Sequence, residues 1–190
     1  MDKIQLLAEL TSGDDERAEA AAVLLAQAGK AVLPSLNQLL VSLDADRRWW
    51  AVRTLAAMRE PPVDLLARAL GDPSEEVRAA AALAMAAHPL EAALPELVRA
   101  LNDEDSLVST LCVNALVSVG KACVPALLDA FAHSNLRGRI QIMRTLAAIK
   151  DSRAIAILLK STEDDSAVLN YWARVGLEAL GLDMVYLKPE

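Results

Sequence analysis

The stretch "DPSEEVRAAAALAM", residues 72–85, decides the fold of this chain. It begins with an acidic turn, and apolar residues then recur at i, i+4, i+5 and i+8, the spacing that places side chains on one face of a helix. These residues are Val77, Ala81, Ala82 and Met85. Acidic residues are typical of a helix start, where they cap free N–H groups and meet the positive end of the dipole. The stretch therefore predicts a polar turn followed by an amphipathic helix.

The same pattern recurs along the chain with a period of about 31 residues. One large apolar position is occupied by Leu24, Leu55, Met85, Leu116, Leu146 and Leu177. Four residues earlier stands a mostly small residue, in the series Ala20, Ala51, Ala81, Cys112, Ile142 and Ala173. The small residues are expected where another helix passes close by.

Each repeat also contains a leucine-rich segment before the turn, which predicts a first helix. Pro34, Pro95 and Pro125 lie near the start of this segment, where a missing N–H costs little. Neither helix of a pair can bury its apolar stripe alone, so successive pairs must stack. The sequence predicts one all-α domain over residues 1–190, a right-handed α-α superhelix of about six two-helix repeats. Their bounds are about 2–31, 32–61, 62–91, 92–122, 123–151 and 152–181, followed by a tail at 182–190.

These repeats resemble HEAT repeats, in particular the short bacterial class related to the phycobilisome-lyase HEAT-like repeats. The pattern of that class is an Asp-Pro turn, then Val-Arg, paired Ala and Ala-Leu-Gly. The third repeat matches best, with Asp72, Pro73, Val77 and Arg78 in place. The fourth repeat has Ser109 at the Arg position, and the fifth has Gly138 at the Val position. The resemblance implies a scaffold and carries no catalytic residue with it.

The Arg position of the motif forms a series along the chain: Arg17, Arg48, Arg78, Ser109, Arg139 and Asn170. The related repeats imply that this Arg reaches an Asp of an adjoining turn, so Arg78 is expected to pair with Asp72 or with the preceding repeat's turn. The alternative is that the series binds anions.

Composition excludes several classes of function. Hydrophobic residues make up 54% of the chain but aromatic residues only 3%, which favours helices packed through small side chains. A net charge of −7 argues against nucleic-acid binding, which needs a basic face. No apolar run approaches the roughly 20 residues needed to span a bilayer, and no signal peptide is evident. We therefore expect a cytoplasmic protein without membrane contact.

Candidates for chemistry are few. Cys112 and Cys123 lack metal-type spacing and are expected to be buried, reduced thiols. The acidic clusters stand at the starts of second helices and are interpreted as caps; they lie at residues 14–16, 103–105 and 163–165. No phosphate loop or nucleophile elbow is present. We predict no catalytic residue, no metal site and no cofactor.

The second helix also predicts a binding face. With the Val position as zero and about 100° per residue, positions 2 and 6 fall opposite the core. In HEAT solenoids the second helices line the concave surface, so these positions define a candidate groove. Its predicted binding residues are Trp49, Arg53, Leu83, Thr110, Asn114, Ile140, Arg144 and Tyr171. In the first repeat the same count places Ala18 and Ala22 on this face, while Trp50 and Trp172 are expected on the flank, half-buried.

Exposed aromatic and Arg residues are typical of interfaces. The expected function is a non-catalytic interaction scaffold that binds a protein or peptide segment in the groove. One alternative, implied by the resemblance, is a bilin lyase or bilin-handling subunit, with Arg53 and Arg144 for the propionates of a tetrapyrrole. A tetrapyrrole ranks below a protein or peptide as the expected partner. The other alternative is a structural adaptor that binds through the solenoid ends.

Overall fold

The computed structural model describes residues 2–89 and 91–182, and these residues are helical with short connections. The chain divides into two compact units, Met1–His88 and Pro89–Glu190. Each unit contains three helix pairs among its described residues. The predicted all-α fold of about six two-helix HEAT-like repeats is confirmed, whereas the single domain over residues 1–190 stays a prediction.

The helices of the first unit are α1 Lys3–Leu10, α2 Asp15–Gln27, α3 Leu33–Leu39, α4 Ala45–Ala56, α5 Val63–Ala69 and α6 Glu75–Ala87. Those of the second unit are α7 Leu94–Ala100, α8 Ser106–Val119, α9 Val124–Phe131, α10 Leu136–Ile149, α11 Ile155–Ser161 and α12 Ala167–Ala179. Within each unit, every second helix packs against the first helix of its own pair and against the neighbouring second helix. The second helices α2, α4 and α6, and likewise α8, α10 and α12, therefore form one layer of each unit.

Local sequence explains where the helices start. Asp14 accepts a hydrogen bond from Arg17 N at the start of α2, and Asp105 accepts one from Val108 N at the start of α8. In the third acidic cluster, Asp164 accepts from Ser166 N, and Ser166 itself caps α12. Each of the three predicted prolines lies in the first turn of α3, α7 or α9. The capping interpretation is confirmed for the clusters at 14–16 and 103–105, whereas in the third cluster the cap is the following residue, Ser166.

The core follows the predicted register in five of the six second helices. Ala51, Ala81, Cys112, Ile142 and Ala173 are all fully buried, as expected for positions where another helix passes close by.

The register that the sequence predicts for the second helix of the first repeat, α2, is wrong by one residue. Leu24 is 46% exposed, whereas Leu25 is 1% exposed and occupies the core. Ala18 and Ala22 are consequently buried and do not belong to the exposed face. The residues of the first repeat at the exposed positions are Glu19 and Val23. An Ala-rich helix that contains two adjacent leucines has little apolar periodicity, so the sequence could not separate the two registers.

The Arg position of the motif closes the turn of its own repeat. Arg78 Nη1 donates to the backbone oxygens of Asp72 at 2.9 Å and Pro73 at 3.2 Å. The expected contact between Arg78 and Asp72 thus uses the backbone carbonyl, while the Asp72 carboxylate pairs with Arg48 of the preceding repeat. Arg17, displaced by the register shift, is exposed and pairs with Glu9 instead.

Gly138 is explained by a close approach inside the second unit. A Cβ at this position would lie 2.8 Å from Asn102 Cγ and 3.1 Å from Ser134 Cβ. The Asn102 side chain is held there because its Oδ1 accepts from Asn135 N at 3.1 Å. The fifth repeat therefore replaces the motif Val by Gly because a neighbouring side chain occupies that space.

One stretch, Ser106–Phe131, is long and apolar enough to cross a membrane by length and composition alone. It is not a continuous helix, because α8 ends at Val119 and Gly120 adopts a φ of 76°. The 14 residues of α8 extend for about 21 Å, less than the roughly 30 Å of a bilayer's hydrocarbon core. The stretch is two helices joined by a break.

The ends of the repeat array differ in what can be described. At the amino end, Asp2 and Gln5 form a reciprocal cap on α1. In α12 the position that is buried in α4, α6, α8 and α10 is occupied by Arg174, which is exposed. Of the predicted tail at 182–190, residues 183–190 lie outside the described part of the chain.

Candidate functional site

The predicted groove residues lie on the second helices, and none of them is buried. Leu83 is 59% exposed and Tyr171 58% exposed, while Asn114 is also exposed. The half-buried members are Trp49, Arg53, Thr110, Ile140 and Arg144. Trp50 and Trp172 are half-buried on the flank, as expected. The set is divided between the two units, with Trp49, Arg53 and Leu83 in the first and the others in the second.

In the first unit the tryptophan pair is surrounded by carboxylates. The Trp49 and Trp50 rings meet edge to face, with centroids 4.8 Å apart. Both rings line an open cavity of about 650 Å³ whose lining includes Asp15, Asp44, Asp46 and one cation, Arg47, which pairs with Asp44. Because like charges repel, this cavity is a poor place for an anion.

Arg53, the cation that the sequence placed beside Trp49, is already neutralised. Its Nη2 forms an ion pair with Glu19 Oε1 of the preceding second helix. The sequence analysis missed Glu19 because the register of the first repeat was displaced by one residue. In this Ala-rich helix small apolar residues lie on several faces, so the sequence offered no clear signal for Glu19.

In the second unit Arg144 has different surroundings. Its guanidinium carbon lies 5.3 Å from the centroid of the Trp172 ring, and its Nη1 donates to Gln141 Oε1 at 2.9 Å. Among the described residues no carboxylate pairs with Arg144. A cation above an aromatic face keeps its charge available for an incoming anion. The structure therefore separates the two arginines that the sequence treated alike.

The aromatic pair beside Arg144 extends this face. The Tyr171 and Trp172 rings pack edge to face with centroids 5.3 Å apart, and Tyr171 projects further into solvent. Ile140, one turn before Arg144 on α10, is half-buried. Together Arg144, Trp172, Tyr171 and Ile140 form what we call the α10–α12 face, an apolar and aromatic surface with one cation.

The two thiols are far from reactive. Cys112 and Cys123 are both fully buried. Burial raises the pKa of the Cys112 thiol to about 12 and that of the Cys123 thiol to about 11. Since the thiolate is the nucleophile, neither cysteine can act as one near neutral pH.

Two further features bear on a ligand. The first unit has a second open cavity of about 530 Å³, with Met58 and Leu33 in its wall and Lys30 and Arg59 among its lining residues. Sequence reasoning missed this cavity because its wall combines residues of two successive repeats. In the part of the chain that is described, no group of three or more His, Cys, Asp or Glu side chains could hold a metal ion.

Two family models match parts of the chain. The model of HEAT repeats matches residues 62–122, and that of the PBS lyase HEAT-like repeat matches residues 139–164. The first match includes the stretch 72–85, and the second covers most of α10 together with α11.

The curated relatives are bilin proteins. The chain is similar to phycocyanobilin lyase subunit beta of Nostoc sp., at 35% identity over 100 residues, which are 52% of this chain and 49% of the relative. The equally named protein of Pseudanabaena tenuis is 34% identical over 84 residues, covering 44% of this chain and 30% of the relative. Bilin biosynthesis protein RpcF of Synechococcus sp. is 29% identical over 75 residues, 40% and 36% of the two chains. The match spans at most about half the length of these relatives.

Solved structures with the same fold are repeat proteins. A designed armadillo repeat protein aligns with a TM-score of 0.50 at 20% identity, covering 94% of this chain and all of its own. An engineered protein from a structural genomics consortium aligns with a TM-score of 0.53 at 20% identity, covering 95% and 99%. At this level of identity the likeness concerns the fold alone.

These comparisons correct the expected function. The interpretation as a non-catalytic protein-interaction scaffold is wrong, because the relatives are named as phycocyanobilin lyase subunits and a bilin biosynthesis protein. The names of these relatives support the alternative of a bilin lyase or bilin-handling subunit. The same names also correct the expectation that a tetrapyrrole ranks below a protein or peptide as a partner.

Proposed function

Because this chain is a HEAT-repeat protein of the phycobilisome-lyase class, we propose that it is a bilin-handling subunit of a lyase. In this role it binds an open-chain tetrapyrrole such as phycocyanobilin without a covalent bond and presents it to the protein that receives it. Since the match spans at most about half of the relatives' length, we assign this chain the holding of the bilin and not the complete lyase reaction.

The observation that carries the proposal is the α10–α12 face. An open-chain tetrapyrrole combines conjugated, largely apolar pyrrole rings with two propionate groups, which are anionic at neutral pH. Tyr171 offers an exposed aromatic surface for the rings, and Arg144 offers a cation without a carboxylate partner among the described residues. Aromatic contact and an Arg–carboxylate pair are the two interactions that such a ligand needs.

Binding without a covalent bond follows from the two cysteines. A thioether to the bilin would require an accessible thiolate, and both Cys112 and Cys123 are buried, with a raised pKa. The chain can therefore hold a tetrapyrrole reversibly, as a subunit that passes the ligand on must.

The experiment is an absorbance titration of the protein with phycocyanobilin at neutral pH. We expect a saturable spectral change that is weakened by Tyr171→Ala. The matched control is Trp49→Ala, which alters an aromatic residue of the first unit beside the acidic cavity and is expected to leave the titration unchanged. Failure of the wild-type protein to change the spectrum would overturn the proposal.

A second measurement tests the reversible mode of binding. After denaturing electrophoresis, zinc-induced bilin fluorescence should not migrate with the protein band, because no bond joins them. A fluorescent band that disappears in the Cys112→Ser or Cys123→Ser variant would show covalent attachment and contradict the reversible mode.

A further inference from the structure

We infer that Arg144 is a built carboxylate subsite, positioned by Gln141 and Ser109, and that it takes a propionate group of the tetrapyrrole. The inference rests on the proposed function and adds to it the residues that orient the cation. Gln141 and Ser109 are positioning residues, since they act on the ligand only through Arg144.

A chain of hydrogen bonds holds the guanidinium in place. Arg144 Nη1 donates to Gln141 Oε1 at 2.9 Å, and Gln141 Nε2 donates to Ser109 Oγ at 3.3 Å. The Ser109 hydroxyl in turn donates to the Ser106 backbone oxygen at 3.2 Å. Gln141 is 8% exposed and Ser109 is fully buried, so the chain starts in the interior and ends at the surface cation. Buried and connected hydrogen bonds of this kind restrict side-chain positions.

One member of this chain of hydrogen bonds, Ser109, departs from the repeat pattern. Ser109 stands where Arg48, Arg78 and Arg139 stand in other repeats, and those arginines donate to backbone oxygens of their own turns. The shorter Ser109 side chain stays inside and accepts the amide of Gln141 from the neighbouring second helix. The motif residue that is missing from the fourth repeat is thus replaced by one that supports Arg144.

The positive charge of Arg144 favours binding of an anion at this site. A guanidinium has five N–H donors, of which the bond to Gln141 uses one. The guanidinium carbon of Arg144 lies 5.3 Å from the centroid of the Trp172 ring, and its remaining N–H groups have no hydrogen-bond partner among the described residues. Arg53, by contrast, is neutralised by Glu19. Among the described residues Arg144 has no ion-pair partner, so of these two arginines it is the one that can accept a carboxylate without first losing an ion pair.

The experiment compares phycocyanobilin with its dimethyl ester, which keeps the ring system but has no carboxylates. Wild-type protein should bind the free acid more tightly than the ester. Arg144→Gln should weaken binding of the acid by roughly tenfold or more, the size expected for a charge-assisted hydrogen bond, and leave the ester nearly unchanged. A purely structural effect would weaken both ligands alike.

Gln141→Glu tests the positioning residue with almost no change in shape. A carboxylate in place of the amide would pair with Arg144 and cancel its charge, so acid binding should fall as far as in Arg144→Gln while ester binding persists. Ser109→Ala keeps the charge and removes only the support of Gln141, and it should weaken acid binding by a smaller factor. Melting midpoints identify any variant that fails to fold.

Arg53→Gln and Arg59→Gln are the controls, and both should retain the preference for the acid. Equal loss of acid and ester in Arg144→Gln, or unchanged acid binding in that variant, would overturn the subsite. Loss of the acid preference in Arg59→Gln alone would place the carboxylate at the apolar cavity of the first unit and would overturn it as well. If wild-type protein binds neither ligand, the proposed function fails as a whole, which is a separate result.

Discussion

The guanidinium of Arg48 donates hydrogen bonds to both carboxylate oxygens of Asp72, a residue of the next repeat. Nε donates to Oδ2 at 2.8 Å and Nη2 donates to Oδ1 at 2.9 Å. Both side chains are more than nine-tenths buried, and hydrogen bonding to Asp72 raises the pKa of Arg48. Arg48 also donates to the Ser42 and Leu43 backbone oxygens of its own turn. One residue therefore closes its own turn and fixes the register of the following repeat.

Asp72→Asn is expected to destabilise the protein by about 3 kcal/mol, because it leaves the buried Arg48 without its counter-charge. The free energy of unfolding in urea measures this loss. Arg17→Gln, which removes the exposed pair with Glu9, is the control and should leave the urea midpoint unchanged. Equal effects of the two substitutions would show that burial of the Arg48–Asp72 pair is irrelevant to stability.

Ala21→Leu and Ala20→Leu form a matched pair that tests the register of the first repeat. Ala21 is 2% exposed and Ala20 is exposed, so the added atoms have room only at position 20. Ala21→Leu should cost about 1–3 kcal/mol through overpacking, as should Ala81→Leu in the third repeat. Melting midpoints distinguish the variants. A destabilised Ala20→Leu beside an unaffected Ala21→Leu would restore the register that was expected from the sequence.

Gly138→Ala is expected to lower stability by about 1–3 kcal/mol, because the new methyl group must displace the Asn102 side chain from its bond to Asn135 N. Gly71→Ala is the control, since a Cβ there would meet only Arg68 O at an ordinary 3.5 Å. Unfolding free energies of Gly138→Ala, Asn102→Ala and the double variant measure the coupling between the two positions. Strictly additive effects would contradict the close approach.

Asp151 makes stability depend on pH. Hydrogen bonds from the Arg153 side chain and backbone N–H hold the pKa of Asp151 well below its ordinary value. As pH falls, the unfolded chain therefore takes up this proton first, and the stability contributed by the carboxylate is complete above about pH 4 and is lost below it. The difference in urea midpoint between wild type and Asp151→Asn should narrow from about pH 7 to about pH 3. A constant difference would mean that Asp151 is not the titrating group.

The local sequence pattern was sufficient to predict most of the helices and their packing faces. The helix caps at Asp14 and Asp105 could be predicted because each depends on neighbours within one turn. The small residues at Ala51 and Ala81 could be predicted because the repeat period aligns them. The register of the first repeat could not, since in α2 small apolar residues lie on several faces and two leucines are adjacent. Packing of α2 against α1 and α4 selects Leu25 over Leu24.

The exposed face of the second helices could likewise be predicted from helical geometry, which placed Arg53 and Arg144 at equivalent positions. Their local sequences do not show which of the two arginines has an ion-pair partner. The difference comes from distant residues. Glu19, 34 positions before Arg53, neutralises it, whereas Ser109, 32 positions before Gln141, holds the Gln141 side chain that orients Arg144. Such partners belong to neighbouring repeats and meet only when the helices stack. The repeat period and the exposed face of each second helix are therefore determined by the local sequence. Tertiary contacts decide which charge remains available to a ligand.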